Sequence, residues 1–243
     1  MSTVTQTPHG ARRRSGREEC LTAGNVTRSS LGYLALAGPF YVIVSLAQAV
    51  ARHGFDLTRG EWSLLALGHL GWIQQANLAL TGLMIIVGAV GVRRAIGRFA
   101  DAGTWAPRLL AGYGLGLIGA GIFRADAADG FPPGTPAAHL SGHGIMHLLF
   151  GTLGFACLIA ACFVIARSYR RRTRRRGAVA SGVVGVVFAA GFAGIATGAA
   201  SEAVNLGFTA AVIIISSAWM TTVAVDLYRR TRAADTDRKT PAP

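Results

Sequence analysis

The chain has 243 residues, 51% of them hydrophobic and 14% charged, with a mean hydropathy of +0.43. That balance excludes an ordinary water-soluble domain and places the chain in a lipid bilayer. The formal net charge of +13 does not indicate nucleic acid as a partner, because the arginines fall in clusters separated by apolar runs of membrane-spanning length; the charge carries orientation instead.

Residues 1–30 are polar and arginine-rich, with no cleavage site ahead of an apolar core, and read as a disordered basic tail followed by an uncleaved anchor. Six transmembrane helices are predicted over 31–51, 71–92, 107–123, 143–166, 178–200 and 205–227, most of them near the ~20 residues that ~30 Å of hydrocarbon requires. The third is the shortest. The expected fold is an all-α membrane bundle over 31–228 with both termini cytoplasmic and a second disordered tail at 229–243. The three cysteines, Cys20, Cys157 and Cys162, form neither a disulfide framework nor a metal motif.

Counting basic residues by side fixes the direction. With the N-terminus in the cytoplasm, twenty-one of the 24 Lys and Arg lie inside, and only Arg52, Arg59 and Arg124 lie outside. The run RSYRRRTRRR at 167–176 reads as a topology signal that also attracts anionic headgroups. Trp72 opens the second span at the outer interface, while Tyr33, Trp105 and Tyr228 lie at inner ends.

Close helix approach in lipid needs small residues. Span three offers Gly112, Gly116 and Ala120; span five offers Ala190, Gly194 and Gly198. Pro39 removes a backbone donor inside span one, and a neighbouring helix is expected to satisfy the freed carbonyl. The short 201–204 link makes spans five and six antiparallel neighbours. No internal repeat is evident, which argues against an inverted-repeat transporter.

An ionisable group at the bilayer centre is costly, so the placement of each one is informative. The outer side collects His53, Asp56, Arg59, Glu61, His69, Arg124, Asp126, Asp129, His139, His143, His147 and Glu202, with Gln74, Gln75, Asn77 and Asn205 just inside the helix ends. In the outer loop 52–70, WSLLALG at 62–68 is too apolar for a solvated segment and is expected to cap the bundle. The loop 124–142 contains Pro132, Pro133 and Pro136, which rule out a helix there, and the two loops together form an expected lid over an outward-opening pocket.

In HLSGHGIMH at 139–147, His143 and His147 stand one helical turn apart on one face, and His139 joins them only if the helix begins early. Two readings follow. In one, His143, His147 and Asp126 hold a divalent metal, zinc by its donor set, whose bound water hydrolyses an ester or amide of an amphiphile. In the other, the histidines hydrogen-bond to Asp126, Glu202 or carbonyls and fix the bundle's outer ends. A haem site is disfavoured because only span four carries a histidine in its apolar body. A Ser-His-Asp hydrolase using Ser63 or Ser141 lacks a nucleophile-elbow pattern.

The succession RHGFDLTRGEWSLLALGHLGWIQQANLALTG (52–82), GLIGAGIFRADAADGFPPGT (116–135) and SGHGIMHLLFGTLGF (141–155) resembles the bacterial membrane family called domain of unknown function 998, over about 31–228. The resemblance implies a six-helix membrane protein with recurrent positions at Asp56, Ser63, Trp72, Asn77, Phe123, Asp126, His143, Gly144 and His147, and no activity. Ala125 and Ala127 flank Asp126 where family members often show an Asp-Pro pair, so this loop's turn is expected to differ. Residues and resemblance together predict an outward-facing polar pocket of Asp56, Arg59, Ser63, Asn77, Asp126, His143 and His147 around an amphiphilic small molecule. The enzymatic rivals, with Asp126, His147 and Glu202 as catalytic candidates, are a metal-assisted hydrolase using His143, His147 and Asp126 and an acid–base isomerase or cyclase using Asp126 and Glu202 on a hydrophobic substrate. A transporter would need a polar path, for which Ser45, Gln48, Asn77 and Thr197 are the hints, and a non-catalytic membrane scaffold is the third rival. Oligomeric state and catalysis both stay open.

Overall fold

The computed structural model describes residues 9–97, 104–128, 130–136, 140–196 and 202–237. Their regular structure is helical, with no strand among the described residues beyond one isolated bridge between Ala128 and Phe131. The helices are α1 (His9–Ala51), α2 (Gly71–Gly97), α3 (Trp105–Ile122), α4 (Gly142–Arg171), α5 (Arg175–Ala196), α6 (Glu202–Phe208) and α7 (Ser216–Asp237). A 3-10 turn, Trp62–Ala66, precedes α2, and a π-helical stretch, Thr209–Ile215, joins α6 to α7 in one run.

Among the described residues, five helices are long and apolar enough to cross a membrane: Gly24–Ala51, Gly71–Ile96, Gly142–Arg171, Arg175–Ile195 and Glu202–Thr236. The predicted third span is not among them. Its 18 residues reach about 27 Å at 1.5 Å per residue, and Arg108, Pro107 and the glycines at 112, 114, 116, 119 and 121 dilute its apolarity. The tails also differ from expectation: α1 begins at His9 and α7 continues to Asp237. A helix nucleated inside an apolar span propagates outward at little cost per residue, and Arg28 pairs with Asp235 at 3.4 Å across the two extensions.

From α2 to α5 each helix packs against its predecessor, α6 and the π-helical stretch pack on α5, and α7 returns to pack on α1, so the bundle closes into a ring. The α2–α3–α4 contacts are made by glycine. Gly82 and Gly114 meet backbone to backbone, and a Cβ on Gly116 would lie 2.6 Å from the Cα of Gly154 and 2.8 Å from the Phe150 carbonyl oxygen. Ala190 in α5 is exposed, a Cβ on Gly194 would meet Val204 of α6 at 3.3 Å, and Gly198 lies outside the described residues, so of the expected small-residue face of span five Gly194 faces a neighbouring helix and Ala190 does not. The α5 surface instead buries Ser181, Val184 and Phe188, with Gly185 against Cys162 of α4. Pro39 leaves the Ala35 carbonyl without an in-helix donor, and the Thr221 hydroxyl of α7 donates to it at 2.8 Å.

The ends of the bundle are chemically distinct. The loop end carries 52–70 and 124–141, and the arginine end carries Arg93, Arg94, Arg108 and the α4–α5 turn. At the loop end α5 packs on α6 and the π-helical stretch, but toward the arginine end it makes little contact with α7.

Candidate functional site

The loop end is built by two loops that pack on each other. The Arg52 guanidinium donates to the carbonyls of Leu65 and Leu67 and lies 4.9 Å over the Phe131 ring, which meets Phe55 edge-on at 5.2 Å. Gly54 and Gly68 adopt left-handed backbone (φ +80° and +71°), and each turns its bare Cα toward a proline of the other loop, Pro133 and Pro132. The 3-10 turn inserts Trp62, Leu64, Leu65 and Ala66 into the interior, which makes WSLLA a plug over the helices as its apolarity predicted.

Beneath this plug lies a cavity of about 320 Å³, between the helices and the loop end. Its body is apolar, with Leu78, Leu117, Phe155, Phe192, Phe208 and Ile213 among its walls, and Tyr41 and Tyr113 enter it from α1 and α3. Its polar rim comprises Glu61, Ser63, Asp126 and His147. The Trp62 ring stands 6.0 Å from Tyr41, and its Nε1 is buried with no hydrogen-bond partner among the described residues. An indole N–H in that condition typically costs about 1–3 kcal/mol.

His147 is only 9% exposed, and its Nδ1 faces two carbonyl oxygens at the end of α3, Ala120 at 2.9 Å and Phe123 at 2.8 Å. Only a protonated Nδ1 suits two acceptors, so the neutral ring is the Nδ1–H tautomer, whose Nε2 is an acceptor. Asp126 is occupied differently. Its Oδ2 accepts the Ser141 backbone N–H at 2.8 Å and its Oδ1 the Ser141 hydroxyl at 2.5 Å, while Ser141 Oγ accepts the Gly144 N–H at 3.0 Å as the N-cap of α4. Gly144 must be glycine there, because a Cβ would occupy the Asp126 carboxylate. The Ser141 side-chain and backbone hydrogen bonds hold the Asp126 carboxyl below the usual carboxylate range against the opposing effect of burial, with lesser lowering by His147 and His143.

His143 is exposed and its ring lies 5.7 Å from that of Phe123, tilted by 57°, outside the cavity walls. The expected zinc site is therefore not assembled: no group of three His, Cys, Asp or Glu able to hold a metal occurs among the described residues. Asp126 is held through both oxygens by Ser141, and His143 is exposed and lies outside the cavity walls to which Asp126 and His147 contribute. His139 and Asp129 lie outside the described residues.

Of the other anticipated residues, Ser63 reaches the cavity and donates to Glu61 at 3.4 Å. Asp56 is exposed and accepts from the Thr58 backbone and hydroxyl at 2.8 and 2.7 Å, which hold its carboxyl below the usual range, the hydroxyl most. Arg59 pairs with Glu202 at 3.1 Å on the surface, and the Asn205 amide donates to the Arg59 carbonyl, tying the 52–70 loop to α6. Neither Asp56, Arg59 nor Glu202 lines the cavity.

Asn77 belongs to a separate buried network. Gln74, fully buried, accepts from Gln48 at 2.8 Å and Asn77 at 3.2 Å and donates to Ser45 at 3.1 Å, and Asn77 also reaches Ser45 and the Tyr41 carbonyl. Three of the four residues considered as a polar path thus converge between α1 and α2, where they adjoin Tyr41 of the cavity wall without lining the cavity themselves; Thr197 lies outside the described residues. Sequence reasoning left Glu61, Trp62, Tyr41 and Tyr113 out of the pocket. Glu61, immediately before the apolar WSLLA, carried the best available signal for inclusion. No curated protein and no solved structure matches the chain. A family model described as "Protein of unknown function (DUF998)" matches residues 35–226, and the chain belongs to that family.

Proposed function

We propose that the protein is a six-span protein of the cytoplasmic membrane, with α3 as the sixth span and both termini in the cytoplasm, and that its cavity binds an amphiphilic small molecule from the outer side. The observation that carries this reading is the cavity's division into an apolar body and a polar rim of Glu61, Ser63, Asp126 and His147. An acyl or similarly apolar portion occupies the body, and a polar head meets His147 Nε2 and the rim. The uneven distribution of arginine supports the orientation.

Brominated fatty acid quenching of Trp62 tests the reading, in a protein whose Trp72, Trp105 and Trp219 are replaced by Phe. Gly151 lines the cavity and a Cβ added there would meet nothing within 4 Å, so Gly151→Leu fills the space without a backbone clash. Saturable quenching that Gly151→Leu abolishes supports binding; quenching that survives Gly151→Leu overturns it. A second reading, acid–base chemistry on the bound amphiphile, is favoured by the fixed tautomer of His147, which leaves Nε2 poised as a proton acceptor. Mass spectrometry of amphiphiles incubated with the protein distinguishes the two, because conversion by wild type that His147→Gln abolishes indicates turnover.

A further inference from the structure

The parting of α5 and α7 leaves a cleft of about 550 Å³ at the arginine end, remote from the cavity described above. Arg174, Arg175 and Arg176 line its mouth, and Ala180, Val223 and Trp219 are among its deeper walls. Trp219 spends its Nε1 on the Ser181 hydroxyl at 3.0 Å, so the surface it offers the cleft is apolar ring. The one carboxylate in the wall is already satisfied. Asp226 pairs with Arg174 at 2.9 Å and Arg230 at 2.7 Å and accepts from the Tyr169 hydroxyl at 3.0 Å. Arg175 and Arg176 have no carboxylate partner among the described residues, so the mouth carries surplus positive charge.

We propose that this cleft binds a phosphate-bearing anionic membrane lipid, with the phosphate against Arg175 and Arg176 and an acyl chain descending along Ala180, Val223 and Trp219. Guanidinium groups match phosphate oxygens in geometry as well as charge. From Arg175 to Ser181 the helix rises about 9 Å, enough to cross a headgroup layer of roughly 5–7 Å and enter the hydrocarbon. A free anion would use the mouth alone and leave the apolar depth empty. Lipid binding here rests on the membrane setting and not on the cavity's ligand.

Trp219 lines the cleft and provides the test. In protein carrying Trp62→Phe, Trp72→Phe and Trp105→Phe, brominated phosphatidylglycerol and brominated phosphatidylcholine are compared as quenchers of Trp219 in reconstituted vesicles. The anionic lipid quenches preferentially, and Arg175→Gln with Arg176→Gln lowers its exchange constant by roughly 30-fold, two surface charges' worth. Lysine at both positions retains most of the preference. Arg229→Gln with Arg232→Gln, exposed on α7 and outside the cleft, leaves it intact. Equal quenching by the two lipids, equal loss in the α7 control, or abolition of the preference by inorganic phosphate overturns the proposal, the first two indicating diffuse surface attraction and the third a free-anion site.

Discussion

Both oxygens of the Asp126 carboxylate are engaged by Ser141, and the Ser141 hydroxyl in turn accepts the Gly144 N–H, so the first turn of α4 hangs on a relay that begins in another loop. Ser141→Ala removes both the cap and the hydroxyl that Asp126 accepts, and is expected to destabilise the α4 start by about 1 kcal/mol. Faster amide exchange confined to 141–146 checks it. Because hydrogen bonding depresses the Asp126 pKa, its contribution is fully present above the unfolded value near ~3.9 and is lost as pH falls through the lower folded value. The protection factor at 141–146, corrected for the intrinsic pH dependence of exchange, should therefore be flat between neutral pH and about 4.5 and fall only in stronger acid; a fall already near pH 6 would contradict the assignment. At the surface, Arg59 and Glu202 are both largely exposed, and Glu202→Gln is expected to change stability by less than about 1 kcal/mol in a thermal melt.

Among the elements, α3 depends most on the absence of side chains. Gly116→Ala places a methyl against the Gly154 backbone, where no flexible side chain can yield, and is expected to cost about 1–3 kcal/mol by prising α3 from α4. Melting of the detergent-solubilised protein should show it, with Gly151→Ala as a neutral control because open space surrounds that position. Thr221→Val leaves the Ala35 carbonyl unsatisfied at the Pro39 break and is expected to cost about 1–2 kcal/mol. Pro39 and the need for a donor were legible in the sequence, as were the glycine face at 112 and 116 and the plug at 62–66, because each follows from a local rule. The identity of the donor was not, since Thr221 is 186 residues away. Ala190, read as part of a packing ladder, is exposed for a related reason: small residues permit close approach, but only the neighbouring helix decides whether it occurs.

For the whole molecule, the sequence made membrane placement and the collection of polar groups at one end legible through hydropathy and charge. It also placed Ser63, Asp126 and His147 together, although the partners of the last two depend on the angle between α3 and the 124–141 loop, which periodicity does not encode. The same blindness put Asn77 in the pocket rather than in the α1–α2 network. Reporter fusions at Gly130 and Thr173 test the proposed orientation, with an external signal expected from the first and a cytoplasmic one from the second; the reverse would invert the function proposed for the cavity. The ring of helices has a consequence for biogenesis. Because Gln74 and Asn77 find their partners in α1, the first hairpin can leave the translocon with these amides already shielded from lipid. The chamber, by contrast, gains its final wall only when α6 and the π-helical stretch are in place, and the bundle closes when α7 docks on α1. A ribosome stalled before residue 202 would thus release an intact paired hairpin but no enclosed chamber.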